Sequence, residues 1–127
     1  MEETMLSSAV EIDKKRIERE ARSSEHNEAY QPMWEQDGIR IGVGARLIDP
    51  DETTFFIEVV VPICTDSQVD LERLEGRLEI LRRLEEETFS LTCQDDSSFC
   101  CELATRKNDI ENEYMRAVSL VERSLTG

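Results

Sequence analysis

The sequence predicts an α+β domain, an antiparallel sheet with packed helices in the order helix, hairpin, helix, hairpin, helix. Three observations predict it. Residues 39 to 64 alternate apolar and polar side chains about a turn, residues 67 to 87 carry an amphipathic helical pattern, and the same pair recurs over 88 to 104 and 108 to 125. The two units bury their apolar sides around one core. A chain of 127 residues is then a single domain, with an N-terminal helix over 1 to 22, an ordered connection over 23 to 38 and a body over 39 to 125.

Residues 2 to 22 place Leu6, Val10, Ile17 and Ala21 at helical spacing. Glu11 with Lys15, and Glu18 with Arg22, add favourable pairs one turn apart. The stripe is thin, so this helix depends on docking. Residues 23 to 38, SSEHNEAYQPMWEQDG, hold turn formers plus Tyr30, Met33 and Trp34, and read as a connection whose aromatics cap the core.

In the first hairpin Ile39, Ile41, Val43, Ala45 and Leu47 alternate with Arg40, Gly42, Gly44 and Arg46, and Asp49-Pro50-Asp51-Glu52 supplies the turn. The return strand is apolar on both faces, with Phe55, Ile57, Val59 and Val61 on one and Phe56 and Val60 beside Glu58 on the other. Such a strand is central in its sheet or covered twice.

The middle helix opens at Thr65-Asp66-Ser67, where Ser67 caps with Asp70 three residues on. Leu71, Leu74, Leu78 and Leu81 form one stripe, while Ile80 and Leu84 sit roughly a quarter turn away and widen the apolar arc to about half the circumference. Gly76 borders that second edge. One edge on the sheet and one on a second copy of the chain follows as the expectation, with Gly76, Ile80, Leu81 and Leu84 at the dimer interface. The second hairpin sets Phe89, Leu91 and Cys93 on one face, turns through Asp95-Asp96-Ser97 and returns with Phe99, Cys101 and Leu103 inward, leaving Cys100 and Glu102 outward. The last helix opens at Asn108 with Glu111 in the capping-box position, and Ile110, Tyr114, Ala117, Val118, Val121 and Leu125 make its stripe.

Composition excludes several classes of function. A net charge of -14 disfavours nucleic acid and anionic membrane, because phosphate binding needs clustered Lys and Arg. The one basic cluster, Lys14 to Arg22, is interleaved with Asp13, Glu18 and Glu20 and reads as a salt-bridged helix face. An acidic shell suits a protein that stays soluble while holding an apolar or basic partner. No apolar run approaches the ~20 residues of a membrane span, and Met1 to Ser8 lacks a basic region followed by an apolar stretch, so the expected location is cytoplasmic.

Chemistry is sparse. Cys100 and Cys101 are the only close cysteine pair and project to opposite faces of a strand, so four zinc ligands do not converge. With no export signal, Cys64, Cys93, Cys100 and Cys101 are expected as thiols. Cys93 and Cys101 read as small core hydrophobes, and Cys100 as the exposed one, a candidate reactive thiol. His26, the only histidine, lies among Glu25, Asn27 and Glu28, where no hydrolytic triad assembles. Asp49, Asp51 and Glu52 lack the spaced ligands of a calcium loop, and Gly38, Gly42 and Gly44 alternate within a strand with no following Lys-Ser/Thr, so neither metal nor cofactor is expected.

The stretches FFIEVVVPICTDSQVDLERLEGRLEILRRLEEE, TFSLTCQDDSSFCCELAT and NDIENEYMRAVSLVERSL, covering most of residues 39 to 125, resemble the type III secretion chaperone-like fold, including its YbjN-like branch. The resemblance implies a non-enzymatic homodimer that binds extended segments of a partner protein, with the middle helix at the dimer seam. Secretion chaperones carry three strands between their first two helices. Only two are evident here unless residues 30 to 36 supply an edge, which brings the YbjN-like regulators and adaptors closer.

The expectation is therefore a chaperone-like or adaptor module that holds a segment of a partner protein, with Phe56, Val60 and Trp34 as its candidate binding surface, since apolar excess on a surface marks an interface. The competing class is a thiol-based sensor acting through Cys100. An enzyme built on scattered carboxylates is third.

Overall fold

The computed structural model describes residues 12–49, 52–62, 64–65, 68–69, 71–94 and 98–126. Leu6 and Val10, the Pro50-Asp51 turn, the Ser67 and Asp70 cap and the Asp95-Asp96-Ser97 turn lie outside them. Among the described residues three helices pack on a five-stranded antiparallel sheet, an α+β architecture.

Helix α1 spans Lys14–Ser23 and starts where the Asp13 side chain accepts a hydrogen bond from the Arg16 amide, 3.1 Å away. Strands β1 (Glu28–Gln36), β2 (Ile39–Asp49) and β3 (Glu52–Pro62) follow as an antiparallel meander. A two-stranded ribbon, β4 (Cys64–Thr65) with β5 (Gln68–Val69), leads to helix α2 (Leu71–Glu86). Strands β6 (Ser90–Gln94) and β7 (Ser98–Thr105), a 3-10 turn at Lys107–Asp109 and helix α3 (Ile110–Thr126) complete the chain. The sheet order is β1-β2-β3-β7-β6, so the doubly apolar strand β3 is central, as its sequence requires.

The connection expected over 23 to 38 is corrected: most of it is β1, and the order of described helices and main-sheet strands becomes α-βββ-α-ββ-α, with the β4/β5 ribbon before the second helix. The β1/β2 register slips between Pro32 and Trp34, and this bulge at Met33 breaks the period-two pattern that would have marked a strand. Pro32 fits because β1 is an edge strand. Asp37 and Gly38, at φ 55° and 82°, make the two-residue turn into β2, which needs positive φ at both positions.

One sheet face carries the core. Ile39, Ile41, Val43 and Ala45 of β2 and Phe55, Ile57, Val59 and Val61 of β3 meet Ile17 and Ala21 of α1, Ile80 and Leu84 of α2, and Ile110, Tyr114, Ala117 and Val121 of α3. This corrects the dimer interface expected on α2. Ile80 is 1% exposed and Leu84 fully buried inside the single chain, and Leu81 packs against the same core. The residue of α2 that stands out is Leu78, 46% exposed.

Arg77 shares the inward side of α2 and is the one charged side chain buried among the described residues. Its guanidinium donates to the Pro62 carbonyl at 2.7 Å and the Asp37 carbonyl at 2.6 Å, tying α2 to the end of β3 and to the β1/β2 turn. A lysine ammonium presents one point of charge where the guanidinium presents a planar fork. Arg77→Lys is expected to lower stability by about 1–2 kcal/mol in urea titration, the worth of one charged hydrogen bond. Gly76 is the opposite case. A Cβ there meets nothing within 4 Å, so Gly76→Ala is expected to raise stability by about 1 kcal/mol through helix propensity alone.

Candidate functional site

The sheet face away from the helices is built by the other half of the alternation. Cross-strand pairing sets Tyr30, Gly44, Phe56 and Ala104 in one row, and Pro32, Gly42, Glu58, Glu102 and Ser90 in the next. The two glycines are floors for two rings. A Cβ on Gly42 would lie 2.2 Å from the Tyr30 hydroxyl oxygen, and one on Gly44 would lie 2.3 Å from Cζ of Phe56. Arg46 stacks its guanidinium 4.5 Å from the centre of the Phe56 ring and bridges Glu28 and Glu102, the latter at 3.0 Å.

This packing disposes of the surface expected from Phe56, Val60 and Trp34. Phe56 is 3% and Val60 9% exposed within the single chain, while Trp34 pairs with Ile41 and packs against the core on the opposite face. The three residues form no common surface. The excess apolarity of β3 is sealed by Tyr30, Arg46 and the glycine floors.

Glu58 is the strained member of this face. It accepts a hydrogen bond from the Tyr30 hydroxyl. Burial, then the neighbouring Glu102 and Glu28 carboxylates, hold its own carboxyl above the usual range. Burial and Glu58 together push the Tyr30 phenol up to about 12. Because the folded state binds the Glu58 proton more tightly than the unfolded chain, the ionised carboxylate costs stability at neutral pH, and that cost fades as pH falls through its raised pKa. Glu58→Gln keeps an acceptor for Tyr30. It is expected to raise the melting temperature by about 1–3 °C at pH 7, with the gain shrinking toward zero as the pH is lowered into the range where wild-type Glu58 is protonated.

Among the described residues three cavities stand out, one of them, of about 470 Å³, at Arg22, Asn27, Leu47, Ile48 and Asp49. Another, of about 290 Å³, opens on the outer face between the α1/β1 loop and the strands, lined by His26, Glu28, Tyr30, Phe56 and Glu58 among others. The third, of about 260 Å³, lies on α3 beside the turn from α2 to β6. Phe89, Met115, Ala117 and Leu120 give it an apolar floor, and the ion pair of Glu87 with Arg116 crosses its rim near Arg123. It abuts the start of β6, the edge strand, where Leu91 is 48% exposed. Sequence periodicity passed over Met115 and Leu120 because they stand off the main α3 stripe. They flank the polar arc of Asn112, Arg116, Ser119 and Arg123, about 140° apart at 100° per residue, and meet Phe89 at the cavity.

The expectation for Cys100 is also corrected. Cys100 is disulfide-bonded and therefore no free nucleophile, and Cys93 is its Cα partner across the β6/β7 ladder. Facing positions in an antiparallel pair fall within the span a disulfide bridges. Cys101, one residue on, is a buried thiol on the core face, raised to about 11 by burial and then by Glu85. Among the described residues no three His, Cys, Asp or Glu side chains converge as a metal site requires, and no helix is long and apolar enough to cross a membrane.

Compared with protein-family models, curated proteins and solved structures, the chain matches none. What it does has to be argued from its own surfaces.

Proposed function

We propose that this chain is a non-enzymatic protein-binding module, chaperone-like or a regulatory adaptor, that holds a segment of a partner polypeptide at the cavity on α3. The observation that carries the reading is the apolar floor of Phe89, Met115 and Leu120 beside the edge strand β6 with its exposed Leu91. An edge strand offers unpaired backbone groups to an extended segment, and a neighbouring apolar cavity takes one of its side chains. Three strands of the main sheet between the first two described helices also support the resemblance to secretion chaperones, which carry three there. The module pairs with a second copy through Leu74 and Leu78, one turn apart on α2, in place of the buried Ile80 and Leu84.

The test compares wild type with Met115→Glu, tagged and captured from host extract, with light scattering of the eluate. Met115 is half-buried at the cavity and packs on the margin of the core, so the charge spoils binding, and native amide dispersion of the variant is verified alongside. A polypeptide that elutes in fixed ratio with wild type and is lost from Met115→Glu sustains the reading. Equal recovery on both sinks it.

A second reading is favoured by the disulfide at Cys100. On this reading the protein is a thiol-based regulator. Two cysteine thiols form an S–S bond while two protons and two electrons pass to a disulfide in the oxidant, which leaves as two thiols. The first reading works in the cytoplasm, and the second needs at least transient oxidation there. Thiol counts after isolation under alkylating conditions separate them: four titratable thiols per chain oppose the regulator, and two support it.

A further inference from the structure

We propose that the outer-face cavity is a site for a basic side chain, the lysine ammonium of a partner polypeptide. The proposal concerns the face opposite the helices and does not rest on the α3 cavity.

The cavity offers an alkylammonium each kind of contact it needs. Glu28 and Glu58 supply carboxylate oxygens to an ammonium that has three hydrogens to donate. Tyr30, 40% exposed, supplies an aromatic wall for the methylene stem and negative quadrupole for the charge, while the Phe56 ring, covered by Arg46, closes the floor. Among the described residues no lysine or arginine is in the lining. The Arg46 guanidinium is spent on Glu28, Glu102 and the Phe56 ring. Glu58 is left with a neutral donor, the Tyr30 hydroxyl, and feels Arg40 only at a distance. Three carboxylates, Glu28, Glu58 and Glu102, thus outnumber the two guanidiniums of Arg46 and Arg40, and a visiting cation balances them.

The walls are also set in advance. Gly42 and Gly44 let Tyr30 and Phe56 lie flat on β2, where any side chain would lift them. Such preorganisation lowers the ordering cost of binding. Size fits as well: a cavity of about 150 Å³ takes up benzene, so about 290 Å³ admits a butylammonium stem with water around its head. The net charge of -14 draws a basic partner in from a distance.

The test is a titration of the uniformly labelled full chain, followed by amide chemical shifts in about 0.15 M salt, where exposed charges are screened beyond about 8 Å. The probe is an acetylated, amidated glycine pentapeptide with one central lysine, and its counterpart carries norleucine. The expected result is a saturable shift confined to residues 24–30 and 56–58, absent with norleucine. Glu58→Gln should weaken binding at least fivefold, and Glu28→Gln serves as a second variant should the first lose its dispersed spectrum. Glu75→Gln, on the exposed side of α2, should bind as wild type. Norleucine shifts equal to those of lysine, or lysine shifts spread over the acidic helices and indifferent to both site variants, overturn the site. Free butylammonium binding as tightly as the peptide overturns the polypeptide as its ligand.

Discussion

Ile80→Glu is expected to leave the chain unfolded, not merely monomeric. Ile80 is 1% exposed and meets Leu84 and the sheet core, so its replacement carries a carboxyl into an apolar interior with no donor on hand. The group would enter neutral and still unpaired, at a cost of several kcal/mol on top of the lost apolar burial. A domain of this size has about 5–15 kcal/mol in total. Far-UV dichroism and amide dispersion at 25 °C are the measurements, with Leu78→Glu as the comparison. Leu78 is exposed, so that variant is expected to fold with a near-wild-type melting temperature and, on the dimer proposal, to halve the mass in solution. Ile80→Glu with native dispersion would show that α2 turns its other side to the sheet.

That contrast marks where sequence reasoning reached its limit. The α2 pattern holds two apolar edges, and the leucine-rich one looks like the core. The helix in fact turns Arg77, Ile80 and Leu84 inward, positions i, i+3 and i+7 of a regular stripe. An arginine at the head of that stripe disguised it. Its reason for being there is a pair of carbonyls, at Asp37 and Pro62, that local pattern does not bring together. Strands β2 and β3 were plain because unbroken alternation and an Asp-Pro turn mark them, and the central place of β3 followed from its two apolar faces. Strand β1 was hidden by its bulge, although Asp37-Gly38 is a strong hairpin signal in its own right. The candidate sites were less legible than the fold. Residues 24–30 meet 56–58 only through the register of three strands, and Cys93 faces Cys100 only because a slip between Leu91 and Cys93 puts it there.

The glycines of β2 give the second large effect, and they are not equivalent. At Gly42 everything an added Cβ would strike belongs to Tyr30, led by its hydroxyl, the far end of a side chain that is 40% exposed. Tyr30 can swing into solvent, so Gly42→Ala forfeits the hydrogen bond to Glu58 and little else, about 1 kcal/mol. At Gly44 the Cβ would strike Cζ of the Phe56 ring and, at 2.7 Å, the backbone carbonyl oxygen of Ala29. That carbonyl sits in a strand paired directly to β2, and Phe56 is held between Arg46 and the sheet. Neither yields without parting β1 from β2 or unstacking the ring. Overpacking of this kind costs typically 1–3 kcal/mol and occasionally more, and with backbone involved Gly44→Ala is placed at the upper end, about 3 kcal/mol. Urea titrations of the two variants should therefore separate clearly. The exposure of Phe56, followed by amide exchange in β1, should rise only in Gly44→Ala, because in Gly42→Ala the strand pairing survives while the tyrosine moves. Equal, small losses in both would mean that β1 stands farther from β2 than the ring packing requires.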